Sequence, residues 1–218
     1  MENYNESNVV EIGGKIVSEP EFSHELFDEK FYKIYIETKR LSGYYDKLPV
    51  IISERLLDID ELKQKEFLHI EGQLRSYNQQ IDGRSKLVLS IFCKDVKKVE
   101  DETVDILNEC DFIGYICKQP IYRKTPLGRE IADVLIAVNR TYKKSDYIPC
   151  ILWGRNAKFC EKLNVGTMVK INGRLQSRNY EKKLPDGTVL PKVAYEVSVS
   201  KFSVNNQEDK KQEEKQVE

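Results

Sequence analysis

The sequence is short of the features that would make it a membrane protein, a zinc protein or a disulfide scaffold. No apolar run reaches the roughly 18 residues that a membrane-crossing helix needs. The five cysteines (Cys93, Cys110, Cys117, Cys150 and Cys160) form no CxxC pair and are odd in number. Cys117 and Cys150 sit inside apolar runs, so the expectation is reduced, mostly buried thiols. His24 and His69 are the two histidines, too few and too isolated for a metal constellation. The 11 glycines are scattered, so no phosphate-cradling loop can be drawn, and neither histidine has a catalytic motif around it. A non-catalytic protein without metal or cofactor is expected. With no signal-like N-terminus, the expected location is the cytoplasm, beside the nucleoid and away from membranes.

What the chain does have is a copy of itself. Residues 8–57 laid over 108–157 match without a gap at Asn8/Asn108, Gly14/Gly114, Ile16/Ile116, Pro20/Pro120, Ile36/Ile136, Arg40/Arg140, Asp46/Asp146, Pro49/Pro149, Ile51/Ile151 and Arg55/Arg155. One inserted residue later, "FLHIEGQLRS" lies over "MVKINGRLQS". A period of 100 residues is a duplicated domain rather than a solenoid unit. The acidic "EDETVDILNE" reads as the joint, and "NQEDKKQEEKQVE" as a disordered charged tail. The expected layout is a first domain over 1–100, a linker over 101–109, a second domain over 110–205 and a tail over 206–218.

Each copy reads as a small β-barrel. In the second, "CDFIGYICKQPIYRK" and "REIADVLIAVNRTY" alternate like strands and are joined by the turn "TPLG". "YIPCILWG" follows, then the helical "NAKFCEKL", then "GTMVKINGRLQSRNYE", the turn "LPDGT" and "KVAYEVSVSKF". Five strands with a short helix between the third and fourth give the order of an OB-fold barrel, an all-β class. An SH3-like or other small barrel is the alternative. In the first copy "SERLLDIDELKQKE" should be the helical link.

Charge separates the copies. Residues 108–206 carry 17 Lys and Arg against 9 Asp and Glu, whereas residues 1–107 carry 15 against 22. A basic half beside an acidic half points to a polyanionic partner for one of them. In "DYIPCILWGR", Tyr147, Trp153 and Arg155 fall on one face of a strand. In "MVKINGRLQSRNY", Lys170, Arg174, Gln176, Arg178 and Tyr180 share a face. Taken alone, either face could be ordinary rim packing or a solvated surface. Together they can neutralise phosphates and accept unstacked bases.

From "IGYICKQPIYRKTPLGREIADVLIAVNR" through "DYIPCILWGRNAKF", "GTMVKINGRLQSRNYE" and "YEVSVS", about 95 residues of the second copy resemble the bacterial single-stranded DNA-binding protein family. The resemblance implies tandem OB folds and stacking of bases at four aromatic positions, matching Tyr142, Tyr147, Trp153 and Tyr180. Phosphate contacts are expected from Arg140, Arg155, Lys170, Arg174 and Arg178. The expected role is coating single-stranded DNA in replication, recombination or repair. An OB-fold docking scaffold with little DNA affinity is the alternative. Nothing in these residues reads the sugar, so RNA stays open beside DNA. The family commonly presents four OB domains as a homotetramer, so a two-copy chain implies a homodimer. The first copy departs from the pattern, with Ser53 opposite Trp153 and Lys47 opposite Tyr147, and weak DNA binding is expected of it. The C-terminus "KQEEKQVE" lacks the acidic Pro-Phe tip through which family members recruit partners, which puts that recruitment in doubt.

Overall fold

A computed structural model of the chain describes residues 7–81, 84–100, 104, 106–141, 144–184 and 186–204. The tail over 206–218 lies outside them. The first copy contributes β1 (Asn8–Ile16), β2 (Glu21–Leu26), β3 (Glu29–Lys39), β4 (Tyr45–Ser53), β5 (Phe67–Ile81) and β6 (Arg84–Val99). The second contributes β7 (Asn108–Ile116), β8 (Ile121–Lys124), β9 (Glu130–Asn139), β10 (Ser145–Trp153), α1 (Gly154–Glu161), β11 (Met168–Lys183) and β12 (Val189–Val204). Asn108 and Glu109, placed in the linker by sequence, open β7.

In each copy five strands close into a ring. β1 pairs with β5 and, at its far end, with β3, while β4 and β6 pair in parallel. The second copy repeats this with β7 against β11 and β9, and with β10 parallel to β12. These are two tandem OB-fold barrels. Gly14 and Gly114 stand where the first strand crosses to close the ring. A Cβ on Gly14 would meet the Glu37 carbonyl oxygen at 2.6 Å, and one on Gly114 the Ala137 carbonyl oxygen at 2.6 Å. Only glycine admits that approach. Alternating residues such as Ile34, Ile36, Leu48, Val50, Ile136, Ile148 and Leu152 fill the barrels.

Two expectations need correction. The run "CDFIGYICKQPIYRK" is not one strand but β7 and β8, interrupted before Pro120, which has no N–H to give a ladder. The same break precedes Pro20, so each copy shows six strand segments. The helical link expected in the first copy is absent; residues 54–66 form turns. In the second copy Gly154, at φ +54°, swings the chain out of β10 into α1. The first copy has Glu54 there, and no such reversal. Ser53 Oγ instead accepts the Arg55 N–H at 3.1 Å, and Asp58 Oδ1 accepts the Asp60 N–H at 3.0 Å. Such local side-chain bonds compete with a helix for the same backbone donors.

The copies join through β1 and β7, antiparallel, with Val10 opposite Cys110 and Asn8 opposite Phe112. Val10 and Cys110 are repeat equivalents, so a pseudo-dyad passes between them. β5–β6 and β11–β12 extend as long hairpin arms. Leu74 lies past the end of the β1–β5 ladder, and the Asn8 amide both accepts its N–H at 3.1 Å and donates to its carbonyl at 2.9 Å. Asn108 does the same for Leu175, at 2.9 and 2.8 Å.

Each arm then crosses to the other copy and meets a fully buried aspartate. Asp46 accepts the Ser177 backbone N–H at 2.7 Å and its hydroxyl at 2.9 Å, together with Arg40 Nε and Nη2, both at 2.6 Å. Asp146 accepts the Ser76 N–H at 2.6 Å and Arg75 Nη1 at 3.1 Å. Two equivalent aspartates thus lock one barrel to the other. Four of the thiols lie in the core, where burial pushes Cys93 and Cys110 up to about 12 and Cys160 to about 11, and raises Cys150 well above its ordinary value. They are inert at neutral pH.

Candidate nucleic-acid interface

Outward positions of β9, β10, β11 and β12 form one face of the second barrel. Tyr147 lies opposite Ala137 and Trp153 opposite Ile131, while β12 adds Ser198, opposite Arg174. Trp153 is the last residue of β10 and is held there by the Gly154 turn, which keeps its ring at the rim. It is 38 % exposed, and its indole N–H donates to Ser198 Oγ at 3.1 Å. Tyr147 is 42 % and Tyr180 37 % exposed. A tryptophan serving only as core would be covered. The backbone N–H of Tyr147 donates to Ser76 Oγ of the first copy at 2.7 Å, so the other barrel fixes where this ring stands. Tyr142 lies outside the described residues.

The five cations divide by environment. Arg155, expected on the strand face with Trp153, lies instead in the first turn of α1, because β10 ends at Trp153. It is exposed and makes no ion pair among the described residues. Lys170 is exposed, 3.5 Å from Asp111. Arg178 is half exposed, 3.2 Å from Glu196, with its guanidinium 6.0 Å from the Tyr180 ring centre. A hydrogen bond to Glu196 raises its pKa against the cost of burial, so it keeps its charge. Arg140 and Arg174 sit at the junction between the copies. Arg140 Nε lies 2.9 Å from Asp146 but off hydrogen-bonding geometry, and Arg174 Nη1 lies 3.7 Å from Asp46. Burial, then the neighbouring Arg40, lowers the pKa of Arg174. Their nearest anions are the junction aspartates.

Tyr115 was not foreseen. It pairs with Ala137, which pairs with Tyr147, so the three form one cross-strand row, and Tyr115 is 37 % exposed. Alternation in "IGYI" marks it as outward, but only the ring closure of β7 onto β9 brings it near Tyr147. The first copy lacks this face. Ser53, in the place of Trp153, is buried and donates to Glu29, which also pairs with Arg55 at 3.3 Å. Phe31 and Phe92, with ring centres 5.7 Å apart, fill the neighbouring space.

This barrel, with aromatic rings and cations open on one face, is an OB-fold domain. The Single-strand binding protein family matches residues 107–205. Single-stranded DNA-binding protein 1 of Staphylococcus aureus (strain COL) is 39% identical over 83 residues, covering 35% of this chain and 50% of that protein. Single-stranded DNA-binding protein B of Bacillus subtilis (strain 168) is 35% identical over 86 residues, covering 35% of this chain and 74% of that protein. The chain therefore belongs to the single-strand binding protein family. It spans about half the length of several of the curated relatives it matches. The wild-type single-stranded DNA binding protein of Thermus aquaticus has the same fold over both barrels: TM-score 0.71 at 17% identity, covering 92% of this chain and 93% of that one. Among the described residues no helix is long and apolar enough to cross a membrane, and no cluster of potential metal ligands occurs.

Proposed function

We propose that this protein is a non-catalytic binder of single-stranded DNA, holding the strand unpaired and protected during replication, recombination or repair. The observation that carries the reading is the exposure of Trp153, Tyr147 and Tyr180 on one face of the basic barrel, with Arg155 and Arg178 beside them. Stacking uses the π-face that every base has, so sequence preference is low. Arg155, Lys170 and Arg178 supply phosphate contacts, and Tyr142 extends the stacking set. Arg140 and Arg174, tied to the junction, contribute through the position of the face. The test is titration of oligo-dT at several salt concentrations. Log affinity is expected to fall with log salt by about 0.7 per phosphate neutralised. A docking scaffold would show no such affinity.

Assembly follows from the same reading. With two barrels per chain and two-fold closure as the commonest symmetry, the working form is a homodimer carrying four barrels. Light scattering at micromolar concentration should give twice the 25.4 kDa chain mass. A monomer or a tetramer would overturn that assignment.

A further inference from the structure

The first copy carries its own cluster of rings and cations, built from residues at different register positions. Tyr35 stands where the second copy has Leu135, Lys33 where it has Asp133, and Lys47 where it has Tyr147. Lys33 lies two residues before Tyr35 on β3 and Lys47 two residues before Pro49 on β4, and Tyr35 and Pro49 pair with each other. Their ammonium groups approach the Tyr35 ring from 5.5 Å and 4.9 Å. Two cations drawn to one ring make a site that is both basic and aromatic. Lys33 also pairs with Glu21 at 2.7 Å, whereas exposed Lys47 makes no ion pair among the described residues. Tyr77, 52 % exposed on the β5–β6 arm, lies within electrostatic range of Lys33.

This cluster is continuous with the second copy. Tyr195, on the β11–β12 arm that also carries Arg178 and Tyr180, hydrogen-bonds Tyr35. Burial, then the nearby Tyr35, pushes Tyr195 up to about 12, so Tyr195 stays neutral at ordinary pH. Glu21, paired with Lys33, and Glu37, opposite Lys47, stand at the cluster. Much of the first copy's remaining acidity lies apart from it: Asp58, Asp60 and Glu61 are in the turns after β4, and Glu11, Glu71 and Asp95 pair across β1, β5 and β6.

We propose that Tyr35, Lys33, Lys47 and Tyr77 form a second contact surface for single-stranded nucleic acid, which takes up a strand leaving the second barrel. The proposal rests on the second barrel binding single strands, and it reverses the expectation that the first copy is a passive partner. Two negatively charged phosphates can sit at the lysines while a base covers the exposed part of a tyrosine ring. One strand then runs over both barrels, and the locked junction sets the distance between its two stations.

The test uses the full chain and labelled oligo-dT of two lengths. One is roughly 10 nucleotides, within a single OB site, and the other roughly 35, enough for both barrels. Tyr35→Ala and Lys47→Glu are each expected to weaken the long strand about tenfold by anisotropy. Short-strand affinity and quenching of Trp153 should be unchanged. Tyr35→Phe should restore long-strand affinity, because stacking needs the ring and not the hydroxyl. Wild-type long-strand affinity in folded Lys47→Glu would overturn the proposal. So would a Tyr35→Phe loss equal to that of Tyr35→Ala, which would assign Tyr35 only to holding Tyr195. If wild type binds the long strand without quenching Trp153 and these variants still weaken it, the second-barrel site fails and the hand-over from it is overturned, with the first-barrel contact alone remaining.

Discussion

Asp46→Ala is expected to destabilise the protein by about 3–5 kcal/mol, the usual cost of removing one partner of a buried ion pair. The aspartate is fully buried, and its loss leaves Arg40 without its two-pronged acceptor and the Ser177 N–H without a partner. Arg40, 25 % exposed, keeps only the Ser177 carbonyl at 3.0 Å, and full rehydration of its buried part means opening the junction. For a protein of this size, that loss lowers the melting temperature by roughly 6–20 °C. Asp146→Ala should act the same way, since Asp146 holds Ser76 and Arg75 in the mirror-related arrangement. It has a second consequence. Ser76 Oγ fixes the backbone of Tyr147, so any folded Asp146→Ala protein should bind oligo-dT more weakly. Urea midpoints equal to wild type for both variants would show that the junction does not hold the barrels together.

Trp153→Ala is expected to weaken oligo-dT binding by roughly 1–3 kcal/mol, the range for losing one stacked base. That is about 5- to 150-fold in affinity. The salt slope should stay as it is, because no phosphate contact is removed. A core tryptophan would instead cost about 3–5 kcal/mol of folding stability on truncation. Its partial exposure and a single hydrogen bond to Ser198 place Trp153 well below that. Trp153 is the chain's one tryptophan, so its fluorescence reports the contact directly and should quench as dT is added. Wild-type affinity in a folded Trp153→Ala protein would remove the central claim about this face.

The duplication, the barrel order and the outward set of Tyr147, Trp153 and Tyr180 were legible because each depends on local pattern. Alternation sorts strand faces, and a gapless repeat carries its register with it. The helix expected in the first copy was misread because "SERLLDIDELKQKE" has helical composition. What stops it is one residue, Glu54 in the place of Gly154, together with side-chain bonds from Ser53 and Asp58 to the backbone. Composition does not register a single backbone reversal.

The sequence by itself determined what each strand presents: which residues point inward, where the rings and cations fall, and which copy is basic. The tertiary structure alone decided what those outward groups meet. Arg155 and Arg140 look alike as cations beside β-strands, yet one faces solvent and the other a buried carboxylate at the junction. Tyr35 and Leu135 occupy equivalent positions, yet only Tyr35 gathers two lysines and reaches the opposite arm. The reason is that a side chain's electrostatic partners come from strands far away in sequence, brought together by ring closure and by the crossing of the two arms.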